Sequence, residues 1–344
     1  MATIFNTYQN DYLSLETRYN GWWSMTRLIL APLRGITDWP FRAAIARHFP
    51  GFGEAVAPFI NPQKPGGKKL APLADLLPEH NRLLPVTPQL LDNHAESFLA
   101  MAKRLEDLGY DRLNWNLGCP APMVTHKGRG AAMLAKPDEI FRLLDEVLPR
   151  LTCRLSLKTR LGMHSAQEIL ALLPRLNAYP LDELIIHPRL GAQMFNGQPD
   201  LDGFAAALAA SVHPVVYNGD ITSLGDFRRL AARFPQVSGW MIGRGAVARP
   251  ALAGEIVAGK SAMATSAEQP TLPMRLAAFH DQLFTAYAAK LAGPGHLLGK
   301  MKQFWLYFIA SFPGREKLIK TIVRTHSLSR YQEVTRTVFE QGKE

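Results

Sequence analysis

The chain has 344 residues, 47% of them apolar, with 39 Lys and Arg against 29 Asp and Glu and a formal net charge of +10. The apolar fraction excludes disorder as the main state, and the length allows one large domain with an appendage, or two domains. Two cysteines, Cys119 and Cys153, are too few for a disulfide framework or a thiolate zinc site, so no metal is expected and a cytoplasmic setting is the natural reading. The charge points to an anionic partner, nucleic acid first, although an enzyme can be basic without one. No run of ~18 apolar residues is present, so no membrane span is expected.

Residues 1–26 show no helix or strand period and no apolar signal segment, and they read as a poorly ordered extension, with Met25 as an alternative start. From Arg27 onward, short β-rich runs alternate with helical stretches. The runs are Arg27–Ala31, Gly53–Ala57, Leu83–Thr87, Arg112–Leu117, Arg154–Thr159, Leu184–His187, Pro214–Tyr217 and Gly239–Ile242. Between them, Asn93–Leu108 carries apolar residues at helical spacing, and turn signals precede Ile140–Leu148 and Phe227–Phe234. Eight such units over 27–257 predict an α/β fold, a closed (β/α)8 TIM barrel. A doubly wound open sheet is the competitor, but the first run is followed by Ala31-Pro32-Leu33-Arg34-Gly35, which lacks a dinucleotide-binding glycine pattern. A linker is expected over 258–273, and a small all-helical domain over 274–344. From Pro270 onward there are eleven Lys and Arg against five Asp and Glu, so more than half of the net charge lies in this tail.

In a barrel, the residues just after each strand converge on one mouth. That rule gathers Pro32, Leu33, Arg34, Gln89, Asn116, Cys119, Lys158, Arg160, His187, Arg189, Asn218, Gly219, Asp220, Gly243 and Arg244. The last two loops suit a phosphate, because glycines let the backbone approach and Arg244 adds a fork; ordinary tight turns are the alternative. Lys158 ends a β-rich run, where its cation would stabilise developing negative charge, unless it is paired structurally with a carboxylate. His187 alone is equally compatible with a satisfied core histidine. A cysteine thiol is ordinarily protonated at neutral pH, so Cys119 can donate a proton as readily as act as a nucleophile, or it can simply be a small buried hydrophobe. Cys153, just ahead of a strand, fits the last description better.

Taken together, Leu30-Ala31-Pro32-Leu33-x-Gly35-x-Thr37-Asp38, Asn116-Leu117-Gly118-Cys119-Pro120, Gly128-x-Gly130-Ala131, Lys158-Thr159-Arg160-Leu161-Gly162, His187-x-Arg189, Asn218-Gly219-Asp220-Ile221 and Ile242-Gly243-Arg244-Gly245 resemble the bacterial tRNA-dihydrouridine synthases, most closely the C-type subgroup. The resemblance implies an FMN-dependent enzyme, with NADPH as electron source, that reduces the C5–C6 double bond of a uridine in tRNA, with position 16 of the D-loop as the expected target. It places FMN against Pro32, Leu33, Arg34, Gln89, Lys158, His187, Asn218, Gly219, Asp220, Gly243 and Arg244, and makes Cys119 the proton donor to uracil C5. Asn116, Arg160 and Glu54 would hold the substrate, and the helical tail would bind tRNA through residues such as Lys300, Lys302, Arg315, Lys317, Lys320, Arg324 and Arg330. Lys64, Lys68, Lys69, Lys127 and Arg129 would extend that surface, whereas Phe304, Trp305, Tyr307 and Phe308 would pack the helical core. A monomer is expected. The loop after His187 departs from the family pattern, reading Pro188-Arg189-Leu190, with Phe195 where a tyrosine is usual. Two other readings stay open: a flavoenzyme acting on a free pyrimidine, and a non-catalytic RNA-binding barrel.

Overall fold

The computed structural model describes residues 26–62, 73–259 and 270–340. The extension at 1–26, Lys64, Lys68, Lys69 and most of the expected linker therefore fall outside, or almost entirely outside, the described residues. Nine parallel strands run β1 (Leu28–Leu30), β2 (Glu54–Val56), β3 (Val86–Thr87), β4 (Gln89–Leu90), β5 (Arg112–Leu117), β6 (Arg154–Gly162), β7 (Leu184–Leu190), β8 (Val215–Tyr217) and β9 (Gly239–Ile242). Their order in the sheet is β3-β2-β1-β9-β8-β7-β6-β5-β4.

The first and last strands of that order are adjacent in sequence. β3 pairs with β2 and β4 pairs with β5, with only Pro88 between them. Pro88 has no N–H to offer a ladder, so it divides one barrel strand into two halves. The nine strands are thus the eight of a (β/α)8 barrel, closed through the third. This run lies at Val86–Leu90 rather than Leu83–Thr87, because the apolar Leu83-Leu84 pair precedes the strand pairing. β6 and β7 run on to Gly162 and Leu190, past the expected ends, because their mutual pairing continues to the mouth.

Strand alternation sorts the side chains. Ile29, Ala31, Val56, Ile185, Val216 and Met241 form a small cluster inside the barrel. Their neighbours Leu28, Leu30, Ala55, Leu184, Ile186, Val215 and Ile242 join the larger core with the surrounding helices. The inner wall on β4 to β6 is polar instead. There Gln89 Nε2 donates to Asn114 Oδ1 at 2.7 Å, and Asn114 Nδ2 donates to Ser156 Oγ at 2.8 Å.

The barrel helices α1 (Trp39–His48), α2 (Ala95–Glu106), α3 (Pro122–Thr125), α4 (Pro137–Val147), α5 (Gln167–Leu176), α6 (Leu201–Ala210), α7 (Leu224–Arg233), α8 (Arg244–Ala248) and α9 (Leu252–Ala258) start at recognisable signals. Asp200 caps α6 by accepting from Gly203 N, and Ser223 caps α7 by accepting from Asp226 N. The tail comprises α10 (Leu272–Lys290), α11 (Pro294–Phe308), α12 (Glu316–Arg324) and α13 (Leu328–Glu340). Helix α10 begins at Leu272, two residues inside the expected linker, with Pro273 in its first turn where a missing N–H costs nothing.

The tail docks on α1 and on the loop that follows β1. Phe279 meets Phe41 and Phe49 edge-on, each at 5.6 Å, and Phe304 stacks on Phe41 at 5.8 Å. At the rim of this aromatic contact, Asp38 accepts from the Tyr287 hydroxyl and pairs with Lys290 at 3.0 Å and Lys300 at 3.4 Å. Burial, reinforced by Asp38, holds the Tyr287 phenol well above its ordinary pKa. Asp38→Ala leaves the buried Tyr287 hydroxyl without its acceptor and Lys290 and Lys300 without their counter-charge, and should cost about 2 kcal/mol. Urea unfolding should show the lower midpoint; an unchanged midpoint would contradict this role for Asp38.

Candidate active site

The inward row of each strand carries the barrel interior out to its mouth. On β6 it reads Ser156, Lys158, Arg160; on β7, Ile185, His187, Arg189; past β8, Val216, Asn218, Asp220; and past β9, Met241, Gly243. Small and apolar residues at depth give way to charge at the C-terminal ends. These ends surround a cavity of about 1120 Å³ whose lining includes Pro32, Leu33, Arg34, Asn116, Cys119, Lys158, Arg160, His187, Asn218, Gly219, Asp220, Gly243 and Arg244.

Asp226 also lines the cavity; Asp220 is the carboxylate at this mouth that Arg189 and Arg244 hold. Buried Arg189 grips it with two guanidinium nitrogens at 3.0 and 2.5 Å, and Arg244 donates to it at 2.7 Å. Burial pushes the Asp220 carboxyl up, but the bonds and charges of the two arginines outweigh that and leave it below its ordinary value. Arg189 also bonds the Gly197 carbonyl at 2.7 Å, which ties the loop after β7 to the strand. Phe195, on that loop, lies 5.6 Å from both the Arg160 and the Arg244 guanidinium carbons.

Lys158 makes no hydrogen bond to the described residues. Burial, then the Arg160 charge, lowers its ammonium, with Cys119 acting in the opposite direction, to a pKa of about 7. Arg160 is lowered to about 10 by burial and by Arg189, and its guanidinium donates to the Gly118 carbonyl at 2.9 Å and the Leu190 carbonyl at 2.8 Å. His187 is driven well below its ordinary value by burial and by the cations Lys158, Arg160, Arg189 and Arg244. Its Nε2 lies 3.3 Å from Arg189 Nη1; a guanidinium can only donate, so Nε2 is assigned as acceptor and the proton sits on Nδ1.

Cys119 sits on a braced turn. Asn116 Oδ1 accepts from Gly118 N at 3.1 Å and Cys119 N at 2.9 Å, while its Nδ2 donates to Gln89 Oε1 at 2.8 Å. The Cys119 carbonyl accepts from Ala131 N at 3.0 Å, and Gly130, at φ +60°, comes so close that a Cβ would stand 2.5 Å from that carbonyl oxygen. Gly219 and Gly245 are similarly confined, since a Cβ would meet the Tyr217 hydroxyl at 2.2 Å and the Ile221 carbonyl at 2.0 Å.

Several expected site residues stand elsewhere. Glu54 starts β2 at the opposite end of the barrel and pairs with Arg27 at 2.5 Å and Arg112 at 3.5 Å; an acidic residue at a strand's first position faces the bottom, not the mouth. Gln89 is buried one layer beneath the cavity, behind Asn116, and Asn116 has its amide oxygen committed to the Cys119 turn. Lys300 donates to the Gly35 carbonyl at 2.7 Å in the tail–barrel joint, and Lys302 to the Thr325 carbonyl at 2.9 Å within the tail. Arg315 bonds the Val338 carbonyl, Arg330 pairs with Glu333 and Arg129 with Asp92. Lys317, Lys320 and Arg324, on α12, are exposed and form no salt bridge among the described residues. Cys153 lies at the far side with its thiol on Glu106, and burial raises it to about 12, so it is inert. Tyr307 packs against the core that holds the buried Phe304, Trp305 and Phe308 and also lines the cavity. Phe59 and Met123 also reach the mouth.

A (β/α)8 barrel whose last two strands end in Asn218-Gly219-Asp220 and Gly243-Arg244-Gly245, with a thiol and a lysine lining the same cavity, has the layout of a barrel enzyme. The family model described as dihydrouridine synthase matches residues 29–328, and the chain belongs to that family. It is 34% identical over 276 residues, 79% of this chain and 82% of the other, to a probable tRNA-dihydrouridine synthase of Rhodobacter capsulatus. It is 32% identical, over 67% of this chain and 71% of the other, to the tRNA-dihydrouridine(16) synthase of Neisseria meningitidis serogroup A. It is 28% identical, over 65% and 67%, to tRNA-dihydrouridine synthase B of Pasteurella multocida. Among the described residues, no helix is long and apolar enough to cross a membrane, and no group of three His, Cys, Asp or Glu is placed to hold a metal.

The lowered Lys158 pKa has a sign that can be checked. Between about pH 7 and the ordinary lysine value of ~10.4, the unfolded chain carries a proton that the folded chain lacks, so this group adds stability as pH rises through that window. In the cofactor-free protein, wild type should gain stability relative to Lys158→Met from pH 7 to pH 9, read as diverging urea midpoints. Midpoints that stay parallel would contradict it.

Proposed function

We propose that this chain reduces the C5–C6 double bond of a uridine in tRNA to dihydrouridine, with FMN bound in the barrel mouth and NADPH as electron donor. One observation carries the reading. A thiol on a braced turn, an ammonium without a hydrogen-bond partner and an arginine-rich glycine cradle open into one cavity. The residues present fit FMN. Gly219, Gly243 and Gly245 bring bare backbone to the cavity wall, Arg244 supplies charge there, and the volume admits an isoalloxazine with a base on top of it.

When bound, FMN supplies the hydride that adds to uracil C6. Addition leaves enolate-like charge on the base, and Lys158 and Arg160 are the cations in the cavity that stabilise it. Cys119 then gives its proton to C5, and the turn held by Asn116 fixes where that thiol points. His187, neutral and with its proton on Nδ1, would hold the flavin with a donor, while Asn218 anchors its own loop by donating to the Met241 carbonyl at 2.9 Å. Pro32, Leu33 and Arg34 line the β1 side of the cavity and would hold the flavin there.

The target base has to leave its stack in folded tRNA to reach this depth, which requires phosphate contacts around the mouth. Lys317, Lys320 and Arg324 on the exposed face of α12 supply them in this reading, with position 16 of the D-loop as the target and a monomer as the working unit.

Cys119→Ala should retain the flavin colour and be reduced by NADPH at the wild-type rate. Dihydrouridine formation on tRNA should fall by about 10²–10⁴-fold, the usual contribution of a positioned acid. Full activity of that variant would sink the role of Cys119, and rapid turnover of free uracil by the wild type without tRNA would favour a free-pyrimidine enzyme.

A further inference from the structure

Helix α11 lays one face on the barrel. Lys300, Phe304, Tyr307 and, in the short turn that follows, Ser311 recur at helical spacing along it. Both ends of this face are pinned. Lys300 Nζ donates to the Gly35 carbonyl at 2.7 Å in the loop after β1, and Ser311 Oγ donates to the Ala248 carbonyl at 2.6 Å at the end of α8. Those are the loops of two paired strands, β1 and β9, so the helix bridges one side of the cavity rim.

Tyr307 lies between the two pins and lines the cavity beside Arg34, Ile36 and Gly245. Phe304, Trp305 and Phe308 around it are buried, and Tyr307 packs against that core with only part of its side chain. Tyr307 itself is half-buried, and its hydroxyl has no hydrogen-bond partner among the described residues. A tyrosine that only packed would gain nothing from that hydroxyl, and a buried one would need a partner for it. Its position also limits what it can touch. Lys158 and Cys119 belong to β6 and the end of β5, three strands away from β1 and β9 in either direction around the barrel. Tyr307 therefore stands on the β1–β9 side of the rim, apart from the strands that carry the thiol and the ammonium.

We infer that Tyr307 is the tail's contribution to the active-site mouth: it receives the nucleotide adjoining the target uridine, with its ring against that base and its hydroxyl on the ribose-phosphate. The inference rests on the tRNA reading above. A flipped nucleotide leaves its neighbour unstacked at the rim, and an aromatic ring there restores a stacking surface. Because α11 is pinned to both loops that flank the ring, the same residues that dock the tail set the distance from this platform to Cys119.

The test uses flavin-loaded wild type, Tyr307→Leu and Tyr307→Phe, with a full-length tRNA transcript. Three readouts are taken: flavin content, the rate of flavin reduction by NADPH without tRNA, and kcat/KM for dihydrouridine formation. The leucine variant should lose about tenfold or more in kcat/KM, the scale of base–aromatic stacking, and the phenylalanine variant less, since it keeps the ring. Flavin content and the NADPH step should match wild type in both. Wild-type kcat/KM in Tyr307→Leu overturns the inference. So does loss of flavin or a slower NADPH step in Tyr307→Phe, which preserves the packing and would place the residue in the cofactor's site. A wild-type protein that reduces its flavin but makes no dihydrouridine overturns the tRNA reading itself, and is seen before any variant is compared.

Discussion

The arrangement at the barrel mouth depends on a surplus of positive charge held by the Asp220 carboxylate. Lys158, Arg160, Arg189 and Arg244 share a partly buried space in which Asp220 is the counter-charge to Arg189 and Arg244, and backbone carbonyls of Gly118, Leu190 and Gly197 take up other guanidinium donors. Burial first, and then the like charges around them, lower the lysine to about 7 and keep the histidine neutral. Removing Asp220 would leave a buried Arg189 unpaired, a change that costs about 3–5 kcal/mol in such pairs. What the protein does not neutralise from within, an anionic ligand can. In the proposed reaction a flavin phosphate and the developing charge on a reduced base would meet a field already in place before binding, which is how preorganised sites lower barriers.

The fold supplies this field through a simple rule. The inward positions of β6 to β9 turn from small and apolar at depth to charged at the rim, so each strand contributes a solid foot and a chemical tip. The polar row of Asn116, Gln89, Asn114 and Ser156 lies beneath the Cys119 turn and fixes it from below, each side chain bonded to the next. On the other side, the tail is joined to the loop after β1 by Asp38, Lys300 and the Phe41–Phe304 stack. The cavity lining, the Cys119 turn and the tail helices are thereby parts of one connected framework.

Much of this was legible in the sequence because strand alternation and strand ends are local properties. Eight β-rich runs implied the barrel, and the residues just after them named most of the cavity lining, Cys119, Lys158, His187, Asp220 and Arg244 included. What escaped depended on three-dimensional neighbours. Glu54 looks like a mouth residue in a short run whose register is ambiguous by one or two positions, yet its partners Arg27 and Arg112 are at strand starts. Lys300 and Lys302 read as free cations because the carbonyls that accept from them lie 265 and 23 residues away in the chain. Tyr307 sits in an aromatic run whose other members are buried, and only the docking of α11 singles it out. Pro88 was the one local signal for the division of the third strand, and it acts by removing a donor that the ladder would otherwise use.

The central claim is that the cationic mouth is built around the phosphate and the reducible ring of a flavin mononucleotide. Titrating the cofactor-free protein with FMN and with riboflavin, which differ only in the phosphate, tests it most directly. The account predicts that FMN binds about 100-fold tighter or more, and that Arg244→Ala removes most of that difference while leaving riboflavin affinity nearly unchanged. Equal affinity for the two flavins would contradict it.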